Sequence, residues 1–137
     1  TDCPIIASEI RQADAKLSPA QRQKVEFIAI AANRQFYSQE SVKLFSQREG
    51  LESFRNWHFM TGTLPALEST WRSYGEVVSI VPAGQMALHS DVAEIIDSTG
   101  NVRWIEFTDP GAGTAATEAS FAQMFFQYLN QTVAASA

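Results

Sequence analysis

The chain has 137 residues, of which 45% are hydrophobic, and its formal net charge is −5. This length and composition predict one globular domain with a sizeable core and exclude a disordered segment. The acidic balance argues against nucleic acid or an anionic membrane surface as the main partner, because both reward clustered Lys and Arg. No apolar run approaches the roughly 20 residues that cross a bilayer. The single cysteine cannot form an internal disulfide, so cysteine usage does not indicate the redox compartment.

The first part of the chain alternates between predicted helices and strands. Apolar residues at three- and four-residue steps predict a first helix, and these residues are Ile6, Ile10, Ala13 and Leu17. Ser18-Pro19 ends this helix. The apolar run over residues 24–32, rich in β-branched side chains, predicts a buried strand, and residues 33–37 form a loop. Ser38 then caps a second helix that Gly50 ends. The buried residues of this helix are Val42 and Phe45.

A second strand and a third helix follow. Residues 57–60 are typical of a strand, and Thr63 is the predicted N-cap of the helix that comes next. The apolar stripe of this helix, which Gly75 ends, consists of Leu67, Trp71 and Tyr74. Residues 77–81 predict a third strand, and residues 82–89 a loop that leads to the next strand.

The last third of the chain predicts a hairpin and a closing helix. Residues 91–97 and 102–107 are two apolar runs around a turn signal, which is the pattern of an antiparallel hairpin. A Gly-rich loop over 109–116 then leads to a helix capped by Thr117. Its inward-facing residues are Phe121, Met124, Phe125, Tyr128 and Leu129. Residues 130–137 are predicted to be a frayed tail.

The order of these elements favours an α/β fold with a mixed central sheet and helices on both faces. We find no repeat and no linker, so residues 1–137 are expected to form a single domain. In such a fold, a central strand precedes a helix that begins at Cys3. We therefore expect a strand immediately before Thr1, so that the first strand of the sheet is missing from this chain.

Cys3 is the first candidate for chemistry, because it stands directly before Pro4. Proline is favoured at the first position of a helix, which places the cysteine at a helix N-terminus. Unpaired amides and the helix dipole favour a thiolate there. The alternative is an inert core cysteine, which is the more common role of a lone cysteine in a small domain.

His89 is the second candidate, because it lies in a loop just before a predicted strand. A loop histidine can also be simply solvated or hydrogen-bonded. A thiolate and an imidazole together suit copper, zinc or a histidine-assisted thiol. Weaker candidates are His58, expected on the polar face of its strand, and Met86, which could offer a thioether to Cu(I). Residues 109–114 lack the Gly-Lys-Ser/Thr ending of a phosphate loop.

Two segments resemble the Sco/SenC family of thioredoxin-fold copper proteins, which are linked to cytochrome c oxidase assembly. The first consists of Asn56-Trp57-His58-Phe59-Met60-Thr61-Gly62 followed by Leu67, Trp71 and Tyr74-Gly75. The second consists of His89-Ser90-Asp91 followed by Ile95-Ile96-Asp97 and Gly100. The resemblance extends from Thr1 to about Leu129 and implies a thioredoxin-like fold.

The resemblance also implies a ligand set for copper. The histidine of the second segment, His89 here, is a copper ligand in the family, and the other ligands come from a C-x3-C-P motif. Cys3-Pro4 matches the second cysteine of that motif, so the first would fall four positions before Cys3. In the rival register Cys3 is the first cysteine, and Ala7 then stands where the second should be.

Two functions use these residues. The first is copper delivery to a cytochrome c oxidase subunit or another copper or thiol protein, in which Cys3 and His89 are metal ligands. The second is a thiol–disulfide oxidoreductase, in which Cys3 is the catalytic thiol and His89 tunes it. A redox-inactive interaction domain is a third reading. The resemblance implies an extracytoplasmic location, with any membrane attachment through a segment upstream of Thr1.

Overall fold

The computed structural model describes residues 3–82, 85, 88–90, 92–107 and 115–135, without the side chains of residues 3, 107 and 115–122. The chain folds into two compact units, Thr1–Glu26 with Asp91–Ala137, and Phe27–Ser90. Both units mix helices and strands. In chain order the elements are α1 Cys3–Lys16, α2 Pro19–Arg22, β1 Phe27–Ile30, α3 Gln39–Arg48, β2 Trp57–Met60, α4 Leu64–Ser73, β3 Val92–Ile96, β4 Val102–Phe107 and α5 Ala115–Ala135.

The described strands form two separate sheets of two strands each, so the α/β class is confirmed but one central sheet is not seen. In the unit Phe27–Ser90, β1 pairs with β2 in parallel. In the other unit, β3 pairs with β4 antiparallel. The parallel pair requires a crossover, because the end of one parallel strand lies far from the start of the next. The chain between β1 and β2, which contains α3, supplies it.

Helix α3 packs one face of the parallel pair. The ring of Phe59 on β2 contacts Phe45 edge to face, with 5.3 Å between the ring centroids. The indole N–H of Trp57 donates to the hydroxyl of Ser46 on α3 at 3.0 Å. The opposite face is less well covered, since Ile28 is 64% exposed. The strand predicted over residues 24–32 is therefore shorter than expected and buried on one side.

Helix α4 carries the main core cluster of this unit. Leu67 and Trp71 are buried, as predicted, and they pack with Ala31 and Val78. The Trp71 indole N–H donates to the backbone carbonyl of Ala31 at 3.0 Å, which satisfies the polar atom of a buried ring. The prediction for Tyr74 is wrong: it is the C-cap of α4 and is about half exposed.

The two predicted N-caps of this unit differ in their chemistry. The Ser38 hydroxyl accepts from the backbone N–H of Ser41 at 3.1 Å, so this cap is confirmed. Thr63 stands at the N-cap position of α4 but makes no capping hydrogen bond with its side chain. Gly50 follows α3 with a φ of 67°, a conformation that glycine adopts without strain.

The strand predicted over residues 77–81 does not form. Val78 makes only an isolated antiparallel bridge with His89. The backbone N–H of Ser79 donates to the carbonyl of Leu88 at 2.8 Å, but the N–H of Leu88 donates to the Ser79 hydroxyl. A side chain thus takes the donor that a regular ladder would use, and the pairing stops after one bridge.

In the other unit, α1 buries one face as its periodicity predicts. Ala13 and Leu17 are buried, whereas Ile6 and Ile10 are half-buried. The short helix α2 was not predicted. It begins with a reciprocal capping box: the Ser18 hydroxyl accepts from the Gln21 N–H at 3.3 Å, and the Gln21 side chain accepts from the Ser18 N–H at 2.9 Å.

The hairpin of β3 and β4 is confirmed, with Val92 opposite Phe107 and a bulge between Ile95 and Ile96. One face of the hairpin packs against α5. The ring of Trp104 stacks on Tyr128 with 3.5 Å between the centroids. Ile95 is 4% exposed, so this face belongs to the core of the unit.

Helix α5 is longer than the sequence predicts. It begins at Ala115, so Thr117 lies inside the helix and is not its cap, and it continues to Ala135 where a frayed tail was expected. Phe125 and Leu129 are buried as predicted, whereas Met124 is 40% exposed. Tyr128 is half-buried against Trp104, and the side chain of the fifth candidate, Phe121, lies outside the described part, as does most of the loop predicted over 109–116.

Candidate functional site

Cys3 is the first residue of α1, the position that the following proline predicts. The first turn of a helix has unpaired backbone N–H groups, and these favour a negative charge. The side chain of Cys3 lies outside the described residues. Its reactivity and its role as a ligand or catalytic thiol therefore stay predictions.

His89 lies where the chain re-enters regular structure before β3. Its backbone pairs with Val78, a buried residue of the α4 core cluster, through the isolated bridge. The imidazole is half-buried, and its Nδ1 lies 3.1 Å from the backbone carbonyl oxygen of Ser90. When Nδ1 carries the proton, it donates to this carbonyl and Nε2 keeps the lone pair, which is the usual arrangement of a metal-binding histidine.

A polar contact that the sequence analysis missed lies next to His89. The Ser90 hydroxyl donates to the carboxylate of Glu76, and the N–H of Val77 donates to the same hydroxyl at 3.4 Å. Ser90 belongs to the segment that resembles the Sco/SenC family, but its neighbour Glu76 is 14 positions away. The signal in the sequence was the Tyr74-Gly75 helix end, which places Glu76 just after α4.

The weaker candidate residues and Asp97 lie in different settings. His58 is exposed on β2, on the side away from α3, as predicted. Asp97 has a structural role in the hairpin turn, where hydrogen bonds from the Thr99 hydroxyl and the Asn101 backbone lower its pKa to about 2. Met86 and residues 109–114 lie outside the described part of the chain.

A buried carboxyl on β4 also serves the fold. Glu106 on β4 is 9% exposed, and burial raises its pKa, while a hydrogen bond from the Trp104 indole at 3.3 Å opposes this shift. Its neighbour across the strands is Ala93, which has no charge to pair with it.

The two predicted ligands belong to different units. Cys3 lies in the unit of residues 1–26 and 91–137, and His89 lies in Phe27–Ser90. Their pairing around one metal ion stays a prediction. Among the described side chains, no three or more His, Cys, Asp or Glu residues are grouped as metal ligands. Within the same described part, no helix is long and apolar enough to span a bilayer.

Comparison with known proteins does not add a family assignment. The chain matches no protein-family model, no curated protein and no solved structure at a significant level. The resemblance to the Sco/SenC family is therefore a prediction that stands on the two motif segments quoted above.

Proposed function

We propose that this chain is a thioredoxin-like domain of the Sco/SenC type that binds copper and delivers it to a cytochrome c oxidase subunit. Copper is then the cargo of the protein, and Cys3 and His89 are two of its ligands. A thiolate and an imidazole are donors that both Cu(I) and Cu(II) accept. In this proposal the protein works outside the cytoplasm.

The order of the elements supports this proposal. A helix that begins with the cysteine, a parallel β1–α3–β2 unit, a further helix, an antiparallel hairpin and a final helix follow each other along the chain. In a thioredoxin-like domain the elements that follow the first strand come in this order.

The observation that carries the proposal is the setting of His89. The backbone of this residue is bound to Val78 of the core, and its Nδ1 faces a carbonyl oxygen. Such a contact holds the ring and favours a lone pair on Nε2, which is the form that a metal needs.

Isothermal titration with Cu(I), and separately with Cu(II), tests the proposal. We expect Cys3→Ala and His89→Ala each to weaken binding, because each removes one donor. His58→Ala is the matched control, since His58 is the other of the two histidines and is exposed on β2. Copper binding that is undiminished in both Cys3→Ala and His89→Ala would remove the proposal.

The position of Cys3 also favours the second function, a thiol–disulfide oxidoreductase. A cysteine at a helix N-terminus has a stabilised thiolate, and the thiolate is the attacking species in disulfide exchange. Turnover of a disulfide substrate, compared between the chain and its Cys3→Ala variant, separates the two functions. Exchange no faster than that of a free thiol, together with copper binding, leaves copper delivery as the function.

A further inference from the structure

The two faces of the hairpin of β3 and β4 have different surroundings. The face that carries Ile95 and Trp104 packs against α5. The opposite face carries three aliphatic side chains that are each nearly half exposed, Ile96 by 43%, Val102 by 46% and Ile105 by 48%. Single exposed apolar residues are common on protein surfaces, whereas a contiguous apolar patch indicates an interaction site.

The register of the strands explains why these side chains share one face. Glu94 lies opposite Ile105, and Ile96 lies opposite Val102. Glu94 and Ile96 are two positions apart on β3, so both point to the same side of the sheet. Arg103 is the extra residue that the bulge inserts into β4, and it is two positions from Ile105. This outer face therefore has an aliphatic centre with Glu94 and Arg103 beside it.

The two charged side chains lie at opposite ends of the patch. Glu94 lies toward the open end of the hairpin and is half-buried, and within the described part of the chain its Oε2 is buried without a hydrogen bond. Arg103 lies next to the turn. Its Nε contacts Asp97 at 2.9 Å, but its side chain remains 57% exposed. The outer face thus has an acidic end that lacks a donor and a basic end that has an exposed guanidinium.

We propose that this outer face binds the same face of a second copy of the chain in an antiparallel dimer. A two-fold axis that lies in the interface and runs across the strands places the Glu94 end of one copy over the Arg103 end of the other, and this contact occurs twice. The aliphatic centres of both copies then lose contact with water, and each Glu94 carboxylate gains a charged donor. The second copy is the occupant that the charges favour, because the face is complementary to itself. This association does not depend on the proposed function.

The small size of the outer face makes this a weak dimer. The strands have five and six residues, so the face covers about 20 Å by 10 Å. This area is well below the roughly 800 Å² that each partner buries in a standard interface, and it corresponds to a transient contact. We therefore expect a reversible equilibrium in which the dimer is populated at concentrations of about 0.1 mM and above.

Sedimentation equilibrium of the whole chain, at concentrations up to about 1 mM, tests the dimer. We expect the average mass to rise with concentration from that of one chain toward that of two. Ile105→Lys places a charge at the centre of the patch and should keep the chain monomeric. Met124→Lys is the matched control, because Met124 is 40% exposed on α5 and should leave the dimer unchanged. Equal association of the two lysine variants, or a natural chain that stays monomeric, overturns the proposal.

A charge exchange between two copies tests the antiparallel arrangement. Glu94→Arg gives a copy with two basic ends, and Arg103→Glu gives a copy with two acidic ends. Each alone should associate about 10-fold more weakly than the natural chain, or worse, because like charges then meet. An equimolar mixture should recover the dimer, because each basic end meets an acidic one. A mixture that associates no better than its components contradicts the arrangement.

A further variant keeps this test valid if Arg103→Glu does not fold. Arg103 also pairs with Asp97, so circular dichroism has to show that this variant keeps its structure. If it does not, Glu94→Gln is compared with Glu94→Arg. The neutral glutamine should weaken the dimer less than the arginine, which faces Arg103 of the other copy with a like charge. Equal dimerisation of these two variants would show that Glu94 does not meet Arg103.

Discussion

Two chain reversals in this protein are held in opposite ways. The turn between β3 and β4 is organised by one carboxylate, whose contacts all lie within seven residues. Oδ1 of Asp97 accepts from the backbone N–H groups of Thr99 and Asn101, at 2.9 and 3.0 Å, and from the Thr99 hydroxyl at 2.6 Å. Its Oδ2 lies 2.9 Å from Nε of Arg103. Every contact here is local, so the turn carries its own stability.

The segment that leads to His89 has no such local network in its described part. It is attached at its base, through the Val78 bridge and the contact between Ser90 and Glu76. Beyond that base Ile80 is 84% exposed and Leu88 77%, whereas Val81 packs against the core cluster and the Gln35 side chain donates to the Pro82 carbonyl at 2.8 Å. His89 is therefore positioned by the core outside its loop, whereas the hairpin turn is positioned by hydrogen bonds among its own residues.

The largest expected effect comes from removing the anchor of the His89 segment. Trp71→Ala deletes a buried ring and its hydrogen bond to Ala31, and such changes cost about 3–5 kcal/mol in the free energy of unfolding. Tyr74→Ala is the control, because this residue is on the same stretch but about half exposed, and surface changes stay within about 0.5 kcal/mol. Urea unfolding followed by circular dichroism measures both. Equal losses in the two variants would contradict the view that the core holds this segment.

A smaller effect is expected from the hairpin turn, and it depends on pH. Hydrogen bonds and Arg103 lower the pKa of Asp97 from 3.8 to about 2 in the folded chain. The unfolded chain therefore binds a proton more readily between these values, and the stability that Asp97 contributes is full above pH 3.8 and lost as the pH falls to about 2.

The measurement is Tm against pH for the natural chain and Asp97→Asn. We expect the variant to have the lower Tm at neutral pH, because asparagine cannot pair with Arg103 as a charge. The difference should be constant at neutral pH and should shrink below pH 3.8. A difference that stays the same down to pH 2 would show that the charge of Asp97 does not stabilise the turn.

The smallest expected effect has the opposite sign. Burial raises the pKa of Glu106, so the folded state holds this proton more tightly than the unfolded chain does. Stability is then lost as the pH rises from the ordinary value of 4.5 through the raised one. Glu106→Gln keeps an oxygen that can accept from Trp104 but carries no charge. Its Tm should therefore slightly exceed that of the natural chain at pH 7 and match it near pH 4, as calorimetry can check.

Much of the secondary structure could be predicted because its causes are local. The Ser38 cap, the β2 strand and the β3–β4 hairpin follow from short patterns of caps, apolar runs and turn residues. The prediction of a strand over residues 77–81 was wrong because a strand needs a neighbouring strand to pair with. Here the Ser79 hydroxyl accepts the hydrogen bond from the Leu88 N–H instead. No pattern within a short window reveals such competition.

The prediction for the end of α5 was wrong for a similar reason. The tail beyond Asn130 looks polar and small-residue-rich in isolation, but the side chain of Asn130 accepts a hydrogen bond from Gln21, 109 positions away. This contact and the buried Leu129 continue the helix to Ala135. Of the candidate site, the helix start at Cys3 was predictable from Pro4, whereas the contact between Glu76 and Ser90 depends on how α4 ends in space.

The placement of the three tryptophans makes each unit optically distinct. Trp57 and Trp71 lie in Phe27–Ser90, while Trp104 lies in the other unit, stacked on Tyr128. A chain with Trp57→Phe and Trp71→Phe would fluoresce from Trp104 alone and report on the hairpin and α5. A chain with Trp104→Phe would report on the parallel pair and α4. Comparing each fluorescence curve with the circular dichroism of the same variant gives the cooperativity of the molecule without any added dye, since Trp71→Phe also removes the hydrogen bond to Ala31 and lowers stability.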